Sequence, residues 1–339
     1  MKAIALKLCS VTGMKWGIPF VKLFSGEEVL EQLKEIWGTV GIPLIAIVTF
    51  LLIWHFGAKQ IDTSLGQVPG PAMVWEQTKA LWAEHVDERI KADEFYARQD
   101  ARNAAKLAKN PNANIRVVDY TGKPTYIDQI FTSLKTVFMG FLIASLIALP
   151  IGIICGLSKK IMQALNPMIQ VFKPVSPLAW LPIVTMIVSA VYVTNDGWLE
   201  KSFIISAITV SLCSLWATLI NTALGVSSVN EDYINVAKVL QLSPTKKTFK
   251  IVLPATLPLI FTGLRISLGV GWMVLIAAEM LAQNPGLGKF VWDEFQNGSS
   301  QSLARIMVAV FTVGIIGFIL DRIMVELQKL VSFDKKTIA

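Results

Sequence analysis

The chain alternates between long apolar stretches and shorter polar segments. Six stretches can supply the roughly 20 apolar residues that a transmembrane helix needs. They lie at residues 40–56, 131–156, 168–192, 203–224, 253–282 and 303–324. One substantial polar region, residues 57–130, separates the first stretch from the second. The pattern predicts an all-α integral membrane protein of about six transmembrane helices.

The composition agrees with a membrane protein and argues against nucleic-acid binding, a disulfide scaffold and a metal site. Of 339 residues, 53% are hydrophobic and 16% charged, and the mean hydropathy is +0.56. The formal charge of +7 resides on basic residues that flank the apolar stretches, which indicates membrane topology rather than nucleic-acid binding. Two histidines and three cysteines, without His-Glu-x-x-His or Cys-x-x-Cys, exclude a disulfide scaffold and predict no metal site.

The short loops predict the orientation, because lysine and arginine are retained on the cytoplasmic side. Lysines cluster after the second, fourth and sixth stretches, whereas the opposite short loops carry only Lys201, Lys289 and Arg305. Both termini are therefore expected in the cytoplasm and residues 57–130 outside. Lysines interrupt any apolar core in the first 24 residues, so we expect no signal peptide there.

The predicted organisation follows directly. We expect a cytoplasmic segment 1–39, a first transmembrane helix 40–56, an extracytoplasmic loop 57–130, a five-helix core 131–324 that contains a cytoplasmic loop 225–254, and a cytoplasmic tail 325–339. Within the outer loop, residues 84–109 are dense in charge and predict a helix that ends near Pro111. For this insertion, residues 84–124, a solvated helix and a docking surface for an external partner both remain open.

Prolines and glycines mark two features inside the apolar stretches. Pro174, Pro177 and Pro182 each remove a backbone donor, so the first half of the third stretch cannot be a regular helix. Gly152 and Gly156 form a small-xxx-small pair suited to close helix packing.

The loop between the fourth and fifth stretches predicts a short amphipathic helix. Ile234, Ala237, Val239 and Leu240 lie on or near one face, and Ser243-Pro244 ends the helix. A basic stretch then returns to the membrane. Since the helix sits directly between two spans, a force applied to it would pass to both.

This loop resembles the coupling loop of bacterial ABC importer permeases, whose signature is Glu-Ala-Ala, three residues, Gly, nine residues and Ile-x-Leu-Pro. The spacing is kept here from Asn235-Val236-Ala237 through Gln241 to Ile251-Val252-Leu253-Pro254, with Asn235 in place of Glu and Gln241 in place of Gly. Several stretches of the sequence resemble the nitrate, bicarbonate, sulfonate and taurine branch of these permeases, and they are closest to its nitrate-type members. The stretches concerned are 171–183, 232–243, 262–266, 277–281 and 286–288.

The resemblance implies the type I ABC importer permease fold in a bacterial inner membrane. It implies a second permease subunit, taken as another copy of this chain, two cytoplasmic ATPase subunits and an extracytoplasmic solute-binding protein. The chain contains no Gly-x-x-x-x-Gly-Lys-Ser/Thr, so ATP and Mg are expected in the ATPase subunits, and this chain is expected to be no enzyme and to bind no cofactor. The implied substrate is a small anion, nitrate first, with bicarbonate, cyanate, sulfonates or taurine as alternatives.

Residues 233–243 are then expected to dock in a cleft of the ATPase, with Ala237 and Leu240 buried there and Lys238 and Lys247 at the rim. The alternative is a solvated basic loop on anionic lipid. The predicted coupling residues are Tyr233, Asn235, Ala237, Lys238, Leu240, Gln241, Ser243, Lys247, Leu253 and Pro254.

The predicted translocation path contains Lys173, Trp180, Arg265, Trp272 and Glu279. Arg265 lies about 16 Å along a helix from Pro254, near mid-membrane, where a charge must face protein or water. With Lys173 it could give the path a positive field. Alternatively, Arg265 bonds helix carbonyls, Lys173 extends to the surface, and both tryptophans pack.

Two rival classes make different demands on the sequence. An ion-gradient-driven transporter or channel would favour intramembrane carboxylates and inverted repeats, but one such carboxylate, Glu279, and no obvious repeat are seen. A membrane enzyme would need a Ser/His or paired-carboxylate constellation at matching depth, and none is evident.

Overall fold

The computed structural model describes residues 19, 21–22, 29–63, 66–110, 114–115, 117–192 and 200–331. The predicted tail beyond residue 331, Pro111 and most of the N-terminal segment lie outside these residues. Backbone contacts divide the chain into two units, residues 1–75 with 299–304, and residues 76–298 with 305–339.

The first unit consists mainly of one long apolar helix. Helix α1 (Val29–Ile36), a π-helical turn (Trp37–Gly41) and α2 (Ile42–Ala58) run without interruption. Strands β1 (Asp62–Thr63) and β2 (Gly66–Gln67) then form a two-residue antiparallel pair. No residue of the most apolar window of Val29–Ala58 is buried within the chain. That surface is suited to a lipid or protein environment rather than to water.

Helix α3 (Pro71–Lys109) carries the polar insertion. The helices after it are, in order, α4 (Tyr126–Leu157), α5 (Lys159–Phe172), α6 (Pro177–Val191), α7 (Lys201–Ser227), α8 (Glu231–Val239), α9 (Pro244–Lys247), α10 (Leu253–Ala282), α11 (Leu287–Asn297) and α12 (Ser300–Val331). A second π-helical turn, Thr248–Val252, joins α9 to α10.

Within the described residues, five helices are long and apolar enough to cross a membrane, and the pair α5 and α6, bent by 100°, makes a sixth candidate. The predicted all-α fold with about six spans is confirmed. The third span differs from a single helix, because the chain breaks after Phe172, where Pro174 has no N–H to continue the ladder. The Ser176 side chain then caps α6 by accepting the Leu178 N–H at 3.3 Å, and Pro182 is accommodated inside that helix.

Glycines bring α4 against α7. A Cβ added at Gly140, Gly152 or Gly156 would lie 2.7 Å, 2.7 Å and 2.5 Å from side-chain atoms of Val210, Thr222 and Val226, respectively. These separations are shorter than any real Cβ contact, so the approach requires glycine. The predicted close packing at Gly152 and Gly156 is confirmed, and α7 lies between α4 and α10 in the core.

Helix α4 begins before its apolar stretch. The Thr125 side chain accepts the Asp128 N–H, and the Asp128 carboxylate accepts the Thr125 N–H at 3.0 Å, which forms a capping box. The helix therefore starts at Tyr126, five residues earlier than hydrophobicity alone predicts.

The insertion helix is longer than predicted and is tied to the core. It starts at Pro71 rather than near residue 84, and ends at Lys109 as expected. His85 Nδ1 lies 2.7 Å from Thr125 Oγ1, Arg89 pairs with Asp128, and Arg305 of α12 pairs with Glu84. These contacts attach α3 firmly to the start of α4 and to α12.

The chain returning from the insertion follows α3 through paired hydrogen bonds. The Gln99 amide accepts the Val118 N–H at 2.8 Å and donates to the Val118 carbonyl at 3.2 Å. The Tyr120 hydroxyl donates to Glu88 at 2.8 Å. This hydrogen bond lowers the pKa of Glu88 and raises that of Tyr120. The insertion thus contains a helix with part of the returning chain hydrogen-bonded along it.

Candidate functional site

The loop between α7 and α10 is ordered, and we call its residues 230–254 the coupling segment after the role predicted for them. Helix α8 starts after Asn230, whose side chain accepts the Asp232 N–H at 2.9 Å. Glu231 and Asp232 occupy its first turn and Lys238 its last, which complements the helix dipole. The sequence thus specifies a short, well-capped helix at the predicted position.

Gln241 ends this helix in the left-handed conformation, with φ 49°. The Leu242 N–H bonds the Ala237 carbonyl and the Gln241 N–H bonds the Lys238 carbonyl, both at 3.0 Å. This is a Schellman motif, whose left-handed position glycine usually occupies. The turn that glycine makes in the resembled signature is therefore made here by glutamine.

We expect Gln241→Gly to stabilise the turn by about 1 kcal/mol, since a left-handed residue other than glycine costs roughly that much. Hydrogen exchange at the Leu242 amide should slow about fivefold. Gln163→Gly is the matched control, because Gln163 is an exposed position inside α5, where glycine weakens a helix by about 1 kcal/mol. Equal effects of the two substitutions would contradict the strain assigned to Gln241.

The two faces of α8 differ from the prediction. Ala237 is only 1% exposed, so it is buried within the chain itself and is not available to a partner, which corrects its expected place in the docking surface. An exposed apolar patch lies beside Ala237 and continues around the helix. It consists of Tyr233, Val236, Val239 and Leu240, of which Val239 is 82% and Leu240 62% exposed.

Polar predicted residues surround this patch or continue the segment. Lys238 donates to the Asn235 side chain at 3.2 Å. The Ser243 hydroxyl accepts the Lys246 N–H at 3.4 Å and caps α9. Lys247, Leu253 and Pro254 are half-buried. The patch is therefore apolar at its centre and polar at its edge.

The coupling segment joins α10 without a flexible link. Pro254 has no N–H to offer the preceding turn, and the Leu253 N–H bonds Thr248, five residues back. This π-helical turn keeps the chain helical, so residues Pro244–Ala282 form one candidate span of 39 residues. Helix α8 is separated from α9 by the turn at residues 240–243, but it lies against the π-helical turn. A displacement of α8 can therefore reach α10 through that contact.

Arg265 lies near the middle of the 30-residue α10 and forms an ion pair with Asp321 of α12. Its Nε donates to Oδ1 at 2.5 Å and its Nη2 to Oδ2 at 3.0 Å. The partner is a carboxylate rather than the helix carbonyls considered from the sequence. Asp321 escaped the sequence analysis because it lies close to the predicted end of the sixth span.

This ion pair lies on the surface of the chain. The side chains of Arg265 and Asp321 are 42% and 34% exposed. Charged groups at membrane depth are costly in lipid, so this face must meet water or another protein. The pair also neutralises Arg265 in this conformation, so that arginine alone does not set the field.

Glu279, which the sequence predicts for the path, lies in a buried hydrogen-bond network. It is fully buried, and its Oε2 accepts the Ser133 hydroxyl at 2.7 Å and the Gly288 N–H at 3.0 Å. The Asn284 amide donates to Oε1 at 3.4 Å. Because its oxygens accept hydrogen bonds from α4, α11 and the turn after α10, Glu279 acts as a clasp between these elements, and its role in a path stays a prediction.

The two tryptophans of the predicted path have packing contacts. Trp272 is buried and donates to the Val313 carbonyl at 2.9 Å, which joins α10 to α12. Trp180 packs against Phe172, with ring centroids 5.8 Å apart. Lys173 is exposed at the break between α5 and α6. Among the described residues, no group of three or more His, Cys, Asp or Glu side chains could hold a metal ion.

Comparison with solved structures supports the fold. A chain of the MetNI methionine ABC transporter, in an inward-facing conformation, matches with a TM-score of 0.51. The match covers 61% of this chain and 95% of that one, at 13% sequence identity. At this identity the likeness concerns the fold alone.

Sequence relatives connect the chain to transport. It is 39% identical to the nitrate import permease protein NrtB of Synechococcus elongatus over 60% of this chain and 69% of that protein. It is 32% identical to the bicarbonate transport system permease protein CmpB of Synechocystis sp. over 88% of this chain and 93% of that protein. The family model described as "Binding-protein-dependent transport system inner membrane component" matches residues 148–332. The chain belongs to this family, the inner membrane components of binding-protein-dependent transport systems.

Proposed function

We propose that this chain is the membrane-spanning subunit of an ATP-driven importer for a small inorganic anion, nitrate first and bicarbonate second. The observation that carries the proposal is the exposed apolar patch on α8, a helix that lies against the π-helical turn leading into the span that holds Arg265. Similarity to NrtB and CmpB supports the substrate class. Cyanate, sulfonates and taurine are the further candidates implied by the resembled branch.

Energy would enter through the patch. The chain has no nucleotide-binding motif of its own, so the ATPase is a separate subunit that uses ATP and Mg. Docking of Val236, Val239 and Leu240 in a cleft of that subunit would remove their apolar surface from water. Closure of the ATPase pair would then move α8, and with it α10.

The proposed assembly is the one that the resembled family implies, and one uncovered surface supports a part of it. The half-exposed Arg265–Asp321 pair needs water or protein around it, which favours a second copy of this chain across a shared path. Two cytoplasmic ATPase subunits and an extracytoplasmic solute-binding protein complete the importer in the bacterial inner membrane, with both termini of this chain in the cytoplasm.

Reconstituted transport tests the proposal. Proteoliposomes that contain this chain, the ATPase subunit and the solute-binding protein should accumulate labelled nitrate or bicarbonate only when ATP is supplied. Nitrate accumulation in preference to bicarbonate supports the first substrate, and the reverse supports the second. Accumulation driven by an ion gradient without the ATPase subunit would overturn the proposal in favour of a secondary transporter.

A further inference from the structure

We infer that the Arg265 guanidinium is a binding site for a planar oxyanion, and that the Asp321 carboxylate occupies this site in the conformation described here. The inference rests on the proposed function and adds which residue the substrate would contact and what competes with it there. Asp321 thereby becomes an internal substitute for the transported anion.

The geometry of the pair has the form of an oxyanion complex. Arg265 uses two neighbouring donors, Nε and Nη2, for the two oxygens of one carboxylate at 2.5 Å and 3.0 Å. The planar guanidinium fork matches planar anions that present two oxygens side by side. Nitrate and bicarbonate are such anions, and a carboxylate shares their planar three-coordinate centre. Any of the three can fill the same fork, but only one at a time.

The site can be reached from outside the chain. Arg265 is 42% exposed, and Met273, two helical turns further along α10, is 71% exposed. Between them, a Cβ added at Gly269 would meet no atom within 4 Å. Arg265, Gly269 and Met273 follow one another at four-residue intervals and so lie on one face of the helix. This face provides open space beside the ion pair.

Charge explains why the site would hold an internal anion. An unpaired guanidinium at membrane depth is costly, and Asp321 compensates its charge when no substrate is bound. An entering anion exchanges with the carboxylate instead of meeting an isolated cation. Arg322, the next residue of α12, lies over the Phe318 ring at 5.1 Å and adds a further positive charge nearby, so the surroundings still favour anions during the exchange.

The competing explanation is an ion pair that only joins α10 to α12. Asp321→Asn separates the two, because it removes the internal anion and retains a side chain of similar size. With the competitor gone, the potassium nitrate concentration that half-saturates the purified protein should fall about tenfold. Saturation is measured as the nitrate-dependent rise of the unfolding midpoint, with potassium chloride at equal ionic strength as control. A purely structural pair predicts a lower midpoint without any gain in nitrate affinity, which would overturn the inference.

A second variant keeps the test decisive if Asp321→Asn does not fold. Arg265→Lys keeps the charge and the partner but loses the planar fork. The nitrate-specific rise of the unfolding midpoint should therefore disappear, while the effect of potassium chloride on the midpoint stays unchanged. A nitrate response that survives in Arg265→Lys would overturn the inference. These binding measurements need no ATPase, so their failure is distinct from failure of the proposed function, which the wild-type uptake assay detects.

Discussion

Leu240→Asp is expected to abolish association with the ATPase subunit and, with it, ATP-driven uptake. Leu240 is 62% exposed on α8, so the substitution places a charge on the docking surface without entering the protein core. Apolar anchors at the centre of an interface commonly contribute about 2–4 kcal/mol, which corresponds to an affinity loss of about thirtyfold or more. The measurement is co-purification of the ATPase subunit with the full-length chain from detergent-solubilised membranes.

Two comparisons make this result specific. Leu240→Met keeps an apolar side chain of similar volume and should retain association. Ala237→Asp should also lose the partner, but by another route, because Ala237 is 1% exposed and a buried charge there disrupts the coupling segment itself. The unfolding midpoint should therefore fall in Ala237→Asp and stay unchanged in Leu240→Asp. Intact association in Leu240→Asp would remove the basis for docking through the patch.

Gly288→Ala is expected to destabilise the end of the core strongly. A Cβ at Gly288 would lie 2.2 Å from the Ile276 carbonyl oxygen and 2.8 Å from the Glu279 Cβ, so α11 must move away from α10. Overpacking of this kind costs about 1–3 kcal/mol, and the Gly288 N–H would also lose its bond to Glu279. Thermal unfolding of the purified protein, with and without the substitution, measures the loss.

Gly269→Ala is the matched control for this prediction. Both glycines lie within helices, but a Cβ at Gly269 would meet nothing within 4 Å. Alanine should therefore stabilise α10 at Gly269 by about 0.5–1 kcal/mol through helix propensity. Glu279→Ala should resemble Gly288→Ala, because it leaves the buried Ser133 hydroxyl and the Gly288 N–H without their acceptor, at about 1–3 kcal/mol for each group. Unfolding of Gly288→Ala and Glu279→Ala at the same temperature as the unsubstituted protein would contradict this role of Glu279.

Local rules predicted the ends and breaks of many elements but missed some starts. The end of α3 at Lys109 and the break before α6 follow from single prolines and their neighbours. The starts of α3 and α4 were missed. A run of mixed polarity extends α3 before the charged stretch that predicted it, and a capping box starts α4 before its apolar stretch. Hydrophobicity measures preference for lipid, whereas a helix continues for as long as its backbone donors find acceptors.

In the candidate site, too, some features were predicted from the sequence and others were not. The position of α8 was predicted from its amphipathic pattern and the break at Ser243-Pro244, but its outward face was not. Ala237 and Val239 are both apolar, and only the packing of the segment decides which is buried. Likewise, the depth of Arg265 followed from counting residues, but its partner lies 56 positions further along the chain.

The sequence by itself determined that the chain spans a membrane, that it contains no nucleotide-binding motif, and where its coupling segment lies. Each of these depends on composition or on residues close together in the chain. Only the tertiary structure decided that Asp321 neutralises Arg265, that Glu279 is a buried clasp and that Val239 and Leu240 face outward. Contacts between distant helices depend on how their faces are rotated and spaced, and one sequence leaves that geometry unspecified until the helices pack.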